Sequence, residues 1–286
     1  MQHSDDKQRQ TWRLTVAYNG SDFHGWQAQD GLPTVQGVLH DAFKLLQKSP
    51  IFVKGAGRTD AGVHAVGQTA SCVLHSRFTA RKLVLALSSI LPDTIRVMRA
   101  EIVPHGFNAK DHSIGKCYRY HLYCGDVVSP FRAPFVWHIR APLDLEAMRR
   151  AASYLEGEHN FESFRSMHCD ASHARRYVWR VSITENAPEL TIEVRGNAFC
   201  RNMVRIIVGT LIDVGRGKIE ARTMLEIIAA KERVAAGMTA PAKGLCLEAV
   251  YYPDTVDAAQ IPASARFPKY PWDKTFWPPQ SPDELK

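Results

Sequence analysis

Short strand-like segments recur along this chain and outnumber the helical ones, and this order constrains the fold more than any other feature. Residues 13–18 (RLTVAY) alternate as a half-buried strand does, and residues 68–74 and 95–103 are also predicted to be strands. Residues 35–47 and 79–91 place apolar side chains at helical spacing. The first part of the chain is therefore predicted to run strand, helix, strand, helix, strand.

The second part of the chain repeats this mixture. Residues 117–124 (CYRYHLYC) alternate aromatic and polar positions, and Asp144 can cap a following helix. The remaining elements are predicted to be a hairpin, an amphipathic stretch, a short helix and a last strand: residues 178–186 and 189–197, 203–214, 220–230, and 245–252. The excess of strands indicates an α+β fold of two similar halves, each a mainly antiparallel sheet with helices on one face.

Composition and pattern divide the chain into four segments. Residues 1–11 are predicted to be a disordered N-terminus, residues 12–106 a first α+β domain and residues 107–252 a second one. Seven of the 16 prolines lie in residues 253–286. We expect an extended, Pro-rich tail there, because proline is incompatible with a regular helix.

The charge of the chain is concentrated in its central part. The net charge is +7, from 36 Lys and Arg against 29 Asp and Glu, and residues 12–252 alone carry +8. Such an excess favours a polyanionic partner, although many basic proteins bind no nucleic acid. The best apolar run, residues 83–91, is far too short to span a membrane. We therefore expect a cytoplasmic protein with no membrane association.

The cysteines and histidines do not indicate a metal site. No C-x-x-C pair or zinc-like spacing occurs among the six cysteines, which lie at positions 72, 117, 124, 169, 200 and 246. Scattered cysteines are typical of small buried residues in a reducing compartment. His159, His168 and His173 lie close in sequence without completing a recognisable ligand set. We expect no bound metal.

The sharpest local motif is residues 57–65, GRTDAGVHA. Its one acid, Asp60, has no second carboxylate nearby, so paired-carboxylate chemistry has no local support. The glycine spacing matches neither a P-loop nor a dinucleotide fingerprint. Taken alone, Asp60 would be interpreted as a turn residue, because aspartate is common in glycine-rich turns.

Further motifs follow in one order along most of the chain. They are YNGSDFHGWQ at 18–27, TVQG at 34–37, FNAK at 107–110, KCYRY at 116–120, HNF and SF at 159–164, FCRNMVR at 199–205, AP at 240–241 and GL at 244–245. Together with GRTDAGVHA they resemble the tRNA pseudouridine synthase I (TruA) family of pseudouridine synthases. Three positions depart from the usual pattern: Asn19 replaces an Asp, Lys110 an Arg and Asp111 an aromatic residue.

The resemblance implies a specific reaction and partner. It predicts that the chain isomerises uridines 38, 39 and 40 of the tRNA anticodon arm to pseudouridine, breaking the glycosidic C–N bond and forming a C–C bond at C5. Because there is no redox change and no external energy input, no cofactor is expected. The family acts as a homodimer, so a two-fold pair of basic surfaces is expected to hold tRNA.

The resemblance also assigns roles to five residues. Asp60 is the predicted nucleophile, Arg205 its ion-pair partner, and Arg58 the residue that helps to extrude the target base. Tyr118 is expected to stack on the uracil, with a further role in taking the C5 proton left open, and Leu245 to form an apolar wall. Asp60 lies in the first half, whereas Tyr118, Arg205 and Leu245 lie in the second. An active-site cleft between the halves is therefore predicted.

Two segments are candidate RNA contacts. The first is Phe107, Asn108, Ala109, Lys110 and Asp111, and the second is His168, Cys169, Asp170, Ala171 and Ser172. Two other functions remain open: a non-catalytic RNA-binding protein, and a nucleoside glycosidase that uses a carboxylate at the same bond. They differ from the isomerase in their products, because the first makes none and the second releases free uracil.

Overall fold

The computed structural model describes residues 9–75, 78–167, 169 and 171–255. In these ranges the strands are β1 (Gln10–Tyr18), β2 (Lys54–Gly55), β3 (His64–Leu74), β4 (Ile95–Val103), β5 (Gly115–Tyr123), β6 (Trp137–His138), β7 (Gly157–Asn160), β8 (Arg175–Asn186), β9 (Glu189–Gly196) and β10 (Leu245–Tyr251). The α-helices are α1 (Val35–Gln47), α2 (Ala80–Ile90), α3 (Leu145–Ser153), α4 (Met203–Gly215) and α5 (Thr223–Ala230). The predicted α+β class is confirmed, because the strands are mostly antiparallel and several helices accompany them.

All ten strands belong to a single sheet. Its order is β4-β1-β3-β10-β5-β9-β8-β7, with β2 paired to β3 and β6 paired to β5. The pairs β10–β3 and β5–β6 are parallel, and the other pairs are antiparallel. The two halves therefore do not keep separate sheets as we expected. The last strand, β10, lies between β3 of the first half and β5 of the second, and it joins their sheets edge to edge.

One face of the first half is filled by large apolar side chains. Trp12, Leu14 and Val16 alternate along β1 and are fully buried. The helices α1 and α2 bury Phe43 and Leu87 in the same core. Thr34 caps α1, because its side chain accepts a hydrogen bond from the Gly37 N–H at 3.3 Å. The apolar periodicity of the sequence thus becomes the packing of two helices on this sheet.

In the second half, α4 is buried on nearly all sides. The buried residues of this helix are Met203, Val204, Ile206, Ile207, Val208, Gly209, Thr210, Leu211, Ile212, Val214 and Gly215. The sequence predicted an amphipathic stretch over residues 203–214, but nearly every residue of α4 is buried. The helix packs against α3, and Gly237 lies against the Thr210 backbone, so α4 is covered outside as well as inside.

The opposite face of the sheet carries buried and half-buried ion pairs. Arg13 of β1 pairs with Glu101 at 2.7 Å and with Asp254 at 2.8 Å. Arg119 of β5 pairs with Glu193 and Glu248, each at 3.0 Å. Each arginine joins neighbouring segments across the sheet, so charge complementarity adds to the backbone ladder on this face.

The predicted terminal segments are only partly described. β1 begins at Gln10, and Thr11 is 5% exposed, so the last two residues of segment 1–11 form strand rather than a disordered end. Of the predicted tail, residues 253–255 continue from β10 in a turn that returns the Thr255 N–H to the Tyr252 carbonyl at 3.0 Å. The rest of the tail lies outside the described residues.

The core of the first half predicts a contrast between two phenylalanines. Phe43 is fully buried and Phe52 is 69% exposed. We expect Phe43→Ala to lower the free energy of unfolding by about 3 to 5 kcal/mol, because it leaves a cavity, and Phe52→Ala to lower it by less than about 1 kcal/mol. Urea denaturation of both variants checks this. Equal losses would contradict the described packing.

Candidate active site

The loop that carries Asp60 leads from β2 to β3 and is bound to the segment that follows β1. The Trp26 N–H donates to the Thr59 carbonyl at 3.1 Å, and the Gly62 N–H donates to the Phe23 carbonyl at 3.2 Å. At Gly25 the φ angle is +90°, and a Cβ there would lie 2.5 Å from the Thr59 carbonyl oxygen. The motifs at 18–27 and 57–65 are therefore two sides of one backbone contact.

Two buried polar side chains hold this loop without adding charge. The Tyr18 and Thr59 hydroxyls share a hydrogen bond of 2.8 Å, and burial raises the pKa of Tyr18 well above its usual range. The His64 Nδ1 accepts from the Gly20 N–H at 3.0 Å, so its Nε2 carries the proton that it donates to the Pro134 carbonyl at 3.2 Å. Burial also lowers the pKa of His64. Both groups are neutral supports near Asp60.

The Asp60 carboxylate lies between two arginines of the second half. Arg205 Nη1 is 3.5 Å from Oδ2 and Arg201 Nε is 3.8 Å from Oδ1. The Asp60 side chain is 24% exposed, so solvent and a ligand can still reach it. The structure thus brings together the predicted pair Asp60 and Arg205, and it adds Arg201, which the sequence analysis missed although it belongs to the same FCRNMVR motif.

Arg205 is held in place by the backbone around it. Its Nε donates to the Ala240 carbonyl at 2.7 Å, and its Nη1 donates to Asn202 Oδ1 at 2.9 Å. Asn202 stands at the N-terminus of α4 with φ of 63° and does not cap the helix with its side chain. Its amide oxygen serves Arg205 instead. The motifs FCRNMVR and AP therefore meet at one guanidinium group.

Tyr118 lies on β5 next to this carboxylate. It is 7% exposed and packs edge-on against Phe199, with ring centroids 5.2 Å apart and an angle of 87°. Burial raises the pKa of the Tyr118 phenol well above its usual range, and the nearby Tyr18 and Asp60 raise it further. Tyr118 is therefore a neutral aromatic side chain close to the Asp60 charge.

Leu245 and Arg58 occupy different positions around the loop. Leu245 opens β10, is 5% exposed and pairs with Tyr120, whereas Leu247 pairs with Tyr118. Opposite residues of an antiparallel pair share a face, so Leu247 is a further apolar neighbour that the sequence analysis missed. Arg58 is exposed, and its Nε donates to Gln27 Oε1 at 3.3 Å.

The first candidate RNA segment divides into buried and exposed residues. Phe107 and Ala109 are 7% and 0% exposed, and the Ala109 carbonyl accepts a hydrogen bond from the Tyr252 hydroxyl at 2.6 Å. Asn108 is half-buried, whereas Lys110 and Asp111 are exposed, and Asp111 pairs with Lys54 at 3.2 Å. The side chains available to RNA are therefore those of Asn108, Lys110 and Asp111, and their contact with RNA stays a prediction.

The second candidate RNA segment touches the site through Cys169. Its Sγ accepts a hydrogen bond from the Arg201 N–H at 3.3 Å, and the Ala171 carbonyl accepts from Arg165 Nη1 at 3.0 Å. Ser172 is exposed. His168 and Asp170 lie outside the described residues. This segment adjoins the arginine that pairs with Asp60.

Two absences in the described ranges concern metal ligands and membrane spans. There, no three His, Cys, Asp or Glu side chains come together as a metal site would require. Within the same ranges, no helix has both the length and the apolar character to cross a membrane.

Comparison with known proteins identifies the family. Residues 14–110 and 151–253 match the sequence profile described as tRNA pseudouridine synthase. The chain belongs to this family. Asp60 and Arg205 lie in the matched ranges, whereas Tyr118 lies between them. As a pseudouridine synthase the chain is an isomerase.

The curated relatives cover most of the chain. They include proteins named tRNA pseudouridine synthase A from Moorella thermoacetica, 43% identical over 84% of this chain and 98% of the relative, and from Geobacter sulfurreducens, 40% identical over 85% of this chain and 99% of the relative. Among solved structures, a chain of a Cbf5-Nop10-Gar1 complex is similar with a TM-score of 0.37 and 12% identity, over 84% of this chain and 48% of that chain. The chain thus spans about half the length of that solved chain.

The neutral state of His64 predicts a pH dependence of stability. Its pKa is lowered on folding, so acidification below the usual histidine range protonates the unfolded chain first and destabilises the fold. His64→Gln can keep both hydrogen bonds but does not take up this proton. We expect the variant to lose less free energy of unfolding between about pH 7 and pH 5, by up to the contribution of about one bound proton. Urea denaturation across this range measures it. A steeper loss in the variant would contradict the assignment.

Proposed function

We propose that this chain isomerises uridines 38, 39 and 40 in the tRNA anticodon arm, with Asp60 as the nucleophile. The observation that carries the proposal is the Asp60 carboxylate, held 3.5 Å from Arg205 and close to Tyr118, in a chain of the tRNA pseudouridine synthase family. A partly exposed carboxylate beside a buried aromatic ring suits a reaction at a flat base and its ribose.

The reaction balances within one nucleotide. The bond between N1 of uracil and C1′ of ribose breaks, the base turns, and C5 bonds to C1′, while C5 loses a proton and N1 gains one. Asp60 forms a temporary covalent bond with the nucleotide, either at the ribose or at the base, and leaves at the end. No oxidant, reductant or external energy enters, so these side chains suffice.

Arg205 and Arg201 supply the positive charge that this carboxylate needs. Arg205 is 17% exposed, and its position is set by Ala240 and Asn202, so its charge is fixed in place before the substrate arrives. Arg201 is 58% exposed and more than 3.5 Å from the carboxylate. We assign Arg205 to orienting Asp60 and Arg201 to the open side of the site.

Tyr118 and Leu245 would receive the base. The ring of Tyr118 offers a flat face, and burial raises the pKa of its phenol, so the side chain brings no charge to the base at neutral pH. Leu245 and its neighbour Leu247 make the adjoining wall apolar. Stacking on an aromatic ring contributes about 1 to 3 kcal/mol per base, which helps to hold the uracil while it turns.

Arg58 would help to bring the target nucleotide out of the RNA helix. Extruding a base costs a few kcal/mol in lost stacking and pairing. Arg58 is exposed two residues before Asp60 and contacts Gln27. A guanidinium group at this place can occupy the vacated position or bind its phosphate, which offsets the cost next to the reacting carboxylate.

The wider partner is the anticodon arm, bound by a homodimer in the cytoplasm. Residues 12–252 carry a net +8, and Lys110 adds an exposed cation in the first candidate RNA segment. An enzyme that modifies three neighbouring positions in tRNAs of different sequence must recognise the shape and the phosphates of the RNA more than its bases. A symmetric pair of basic surfaces in a dimer matches such a ligand.

The function is tested with a tRNA transcript that lacks pseudouridine. We expect alkali-resistant carbodiimide adducts at positions 38 to 40 with the wild type, no free uracil, and no product with Asp60→Ala. The matched control is Asp41→Ala, an exposed carboxylate on α1, which should retain full activity. Free uracil would indicate a glycosidase, and binding without either product would indicate an RNA-binding protein. Product from Asp60→Ala would remove Asp60 from the nucleophile's role.

Two substitutions test the ring and the hydroxyl of Tyr118 separately. In an Asp60→Ala background we expect Tyr118→Phe to bind tRNA within about twofold of its parent, because the stacking face remains, and Tyr118→Ala to bind about tenfold more weakly. Fluorescence anisotropy at fixed salt measures both. Equal weakening by the two substitutions would contradict a stacking role.

A further inference from the structure

Three cations lie near one another, one of them against the catalytic loop, and none of them forms an ion pair with a carboxylate of the described residues. Lys116 stands two residues before Tyr118 on β5, so their side chains share one face of the sheet. Strand pairing aligns Lys116 with Gly196 of β9 and Gly196 with Val178 of β8, and Arg176 lies two residues before Val178 on that face. We call Lys116, Arg176 and the nearby Lys110 the cation cluster.

Lys116 lies directly against the catalytic loop. A Cβ at Gly57 would be 3.0 Å from Lys116 Cε and 3.6 Å from Nζ. The glycine at position 57 therefore leaves the room that this ammonium group occupies, three residues before Asp60. Over the ranges the structure describes, no hydrogen bond or ion pair joins Lys116 Nζ to an acceptor.

Arg176 is more deeply buried and is also incompletely paired. Its side chain is 8% exposed overall, and Nη1 donates to the Arg175 carbonyl at 2.6 Å and contacts His173 Nδ1 at 3.3 Å. The buried Nε has no hydrogen-bond partner in the described residues. A buried guanidinium nitrogen without an acceptor costs free energy, so the described residues compensate the charge of Arg176 only in part.

No acid of the neighbouring linker neutralises the cluster. Asp111, next to Lys110, pairs with Lys54, and Asp60 pairs with Arg205 and Arg201. Burial, and then the charges of Lys110 and Arg176, lower the pKa of Lys116 to about 8. Like charges held together, with Lys116 against the loop that carries Asp60, make a site for an anion that arrives with the substrate.

We propose that the cation cluster binds one phosphodiester of the RNA substrate, adjacent to the target uridine, and so positions that nucleotide over Asp60. The inference rests on the proposed function and adds to it a phosphate subsite. Lys116 and Tyr118 are separated by roughly 7 Å along the strand. A nucleotide whose base stacks on Tyr118 can place a flanking phosphate at this distance. Lys116 acts as a positioning residue, and Arg176 completes the subsite from β8.

The test asks whether the positive charge of Lys116 and the negative charge of one RNA phosphate act through the same contact. Anticodon stem-loop RNAs carry a neutral methylphosphonate either 5′ or 3′ to the target uridine, and binding is measured in the inactive Asp60→Ala background. We expect one of the two linkages to weaken binding about tenfold, and Lys116→Met to weaken binding of the unmodified RNA about tenfold. Combining both changes should cause no further loss, because each removes the same contact.

Controls separate the site from general charge. Lys82→Met on α2 removes an exposed lysine on the far edge of the sheet and should leave binding and its sensitivity to the neutral linkage unchanged. Lys116→Met should also reduce the slope of log affinity against log salt by about one contact. Additive losses for Lys116→Met and the neutral linkage would overturn the inference. If Lys116→Met fails to fold, the wild-type linkage scan decides: no loss at either flanking phosphate overturns the inference.

Inorganic phosphate distinguishes the source of the anion. If it raises the Tm of the wild type while neither neutral linkage affects RNA binding, the cluster holds a free anion and the inference fails. Turnover is scored separately with the wild type on unmodified tRNA. Pseudouridine without the coupling overturns the inference alone, whereas coupling without pseudouridine overturns the proposed function and leaves the phosphate subsite supported.

Discussion

The parallel contact between β10 and β3 decides where the chemical groups of this protein meet. It consists of two residue pairs, Cys246 with His64 and Leu247 with Ala65. β3 begins four residues after Asp60, and β10 continues on its other edge into β5, where Leu247 pairs with Tyr118. Because neighbouring strands lie about 4.8 Å apart, a loop from one half and an aromatic residue from the other come within reach of each other.

The ionisable side chains around the site differ in burial and in pairing: some are neutral, one is a paired carboxylate, and others are cations. Tyr18, Tyr118 and His64 are kept neutral by burial, so they shape the site without competing with Asp60. Asp60 is matched by two arginines that come from the α4 end of the second half. Lys116 and Arg176, which pair with no carboxylate of the described residues, lie farther along the same face. In the proposed mechanism, this separation would let Asp60 react while a neighbouring phosphate is bound.

The sequence pattern predicted individual helices and strands well, but it did not predict how strands that are distant in sequence pair with each other. The bounds of α1 and β4 follow directly from periodicity and from the residues that end them. The union of the two sheets through β10 depends on pairs of residues about 180 positions apart, which no periodicity reveals. Likewise, the burial of Phe107 and Ala109 depends on Tyr252. Arg201 shares the FCRNMVR motif with Arg205, but its place opposite Asp60 became visible only in the structure.

The position of β10 in the sheet also determines when this protein can become functional during its synthesis. The ribosome delivers the first half, including β3 and the Asp60 loop, long before residues 245–251 exist. Until that strand emerges, one edge of β3 and one edge of β5 are unpaired, and contacts between such distant segments form slowly. A growing chain therefore exposes two open strand edges and an incomplete site. Because β10 closes the sheet, we expect chains that end before Leu245 to lack a complete site and to associate through those open edges.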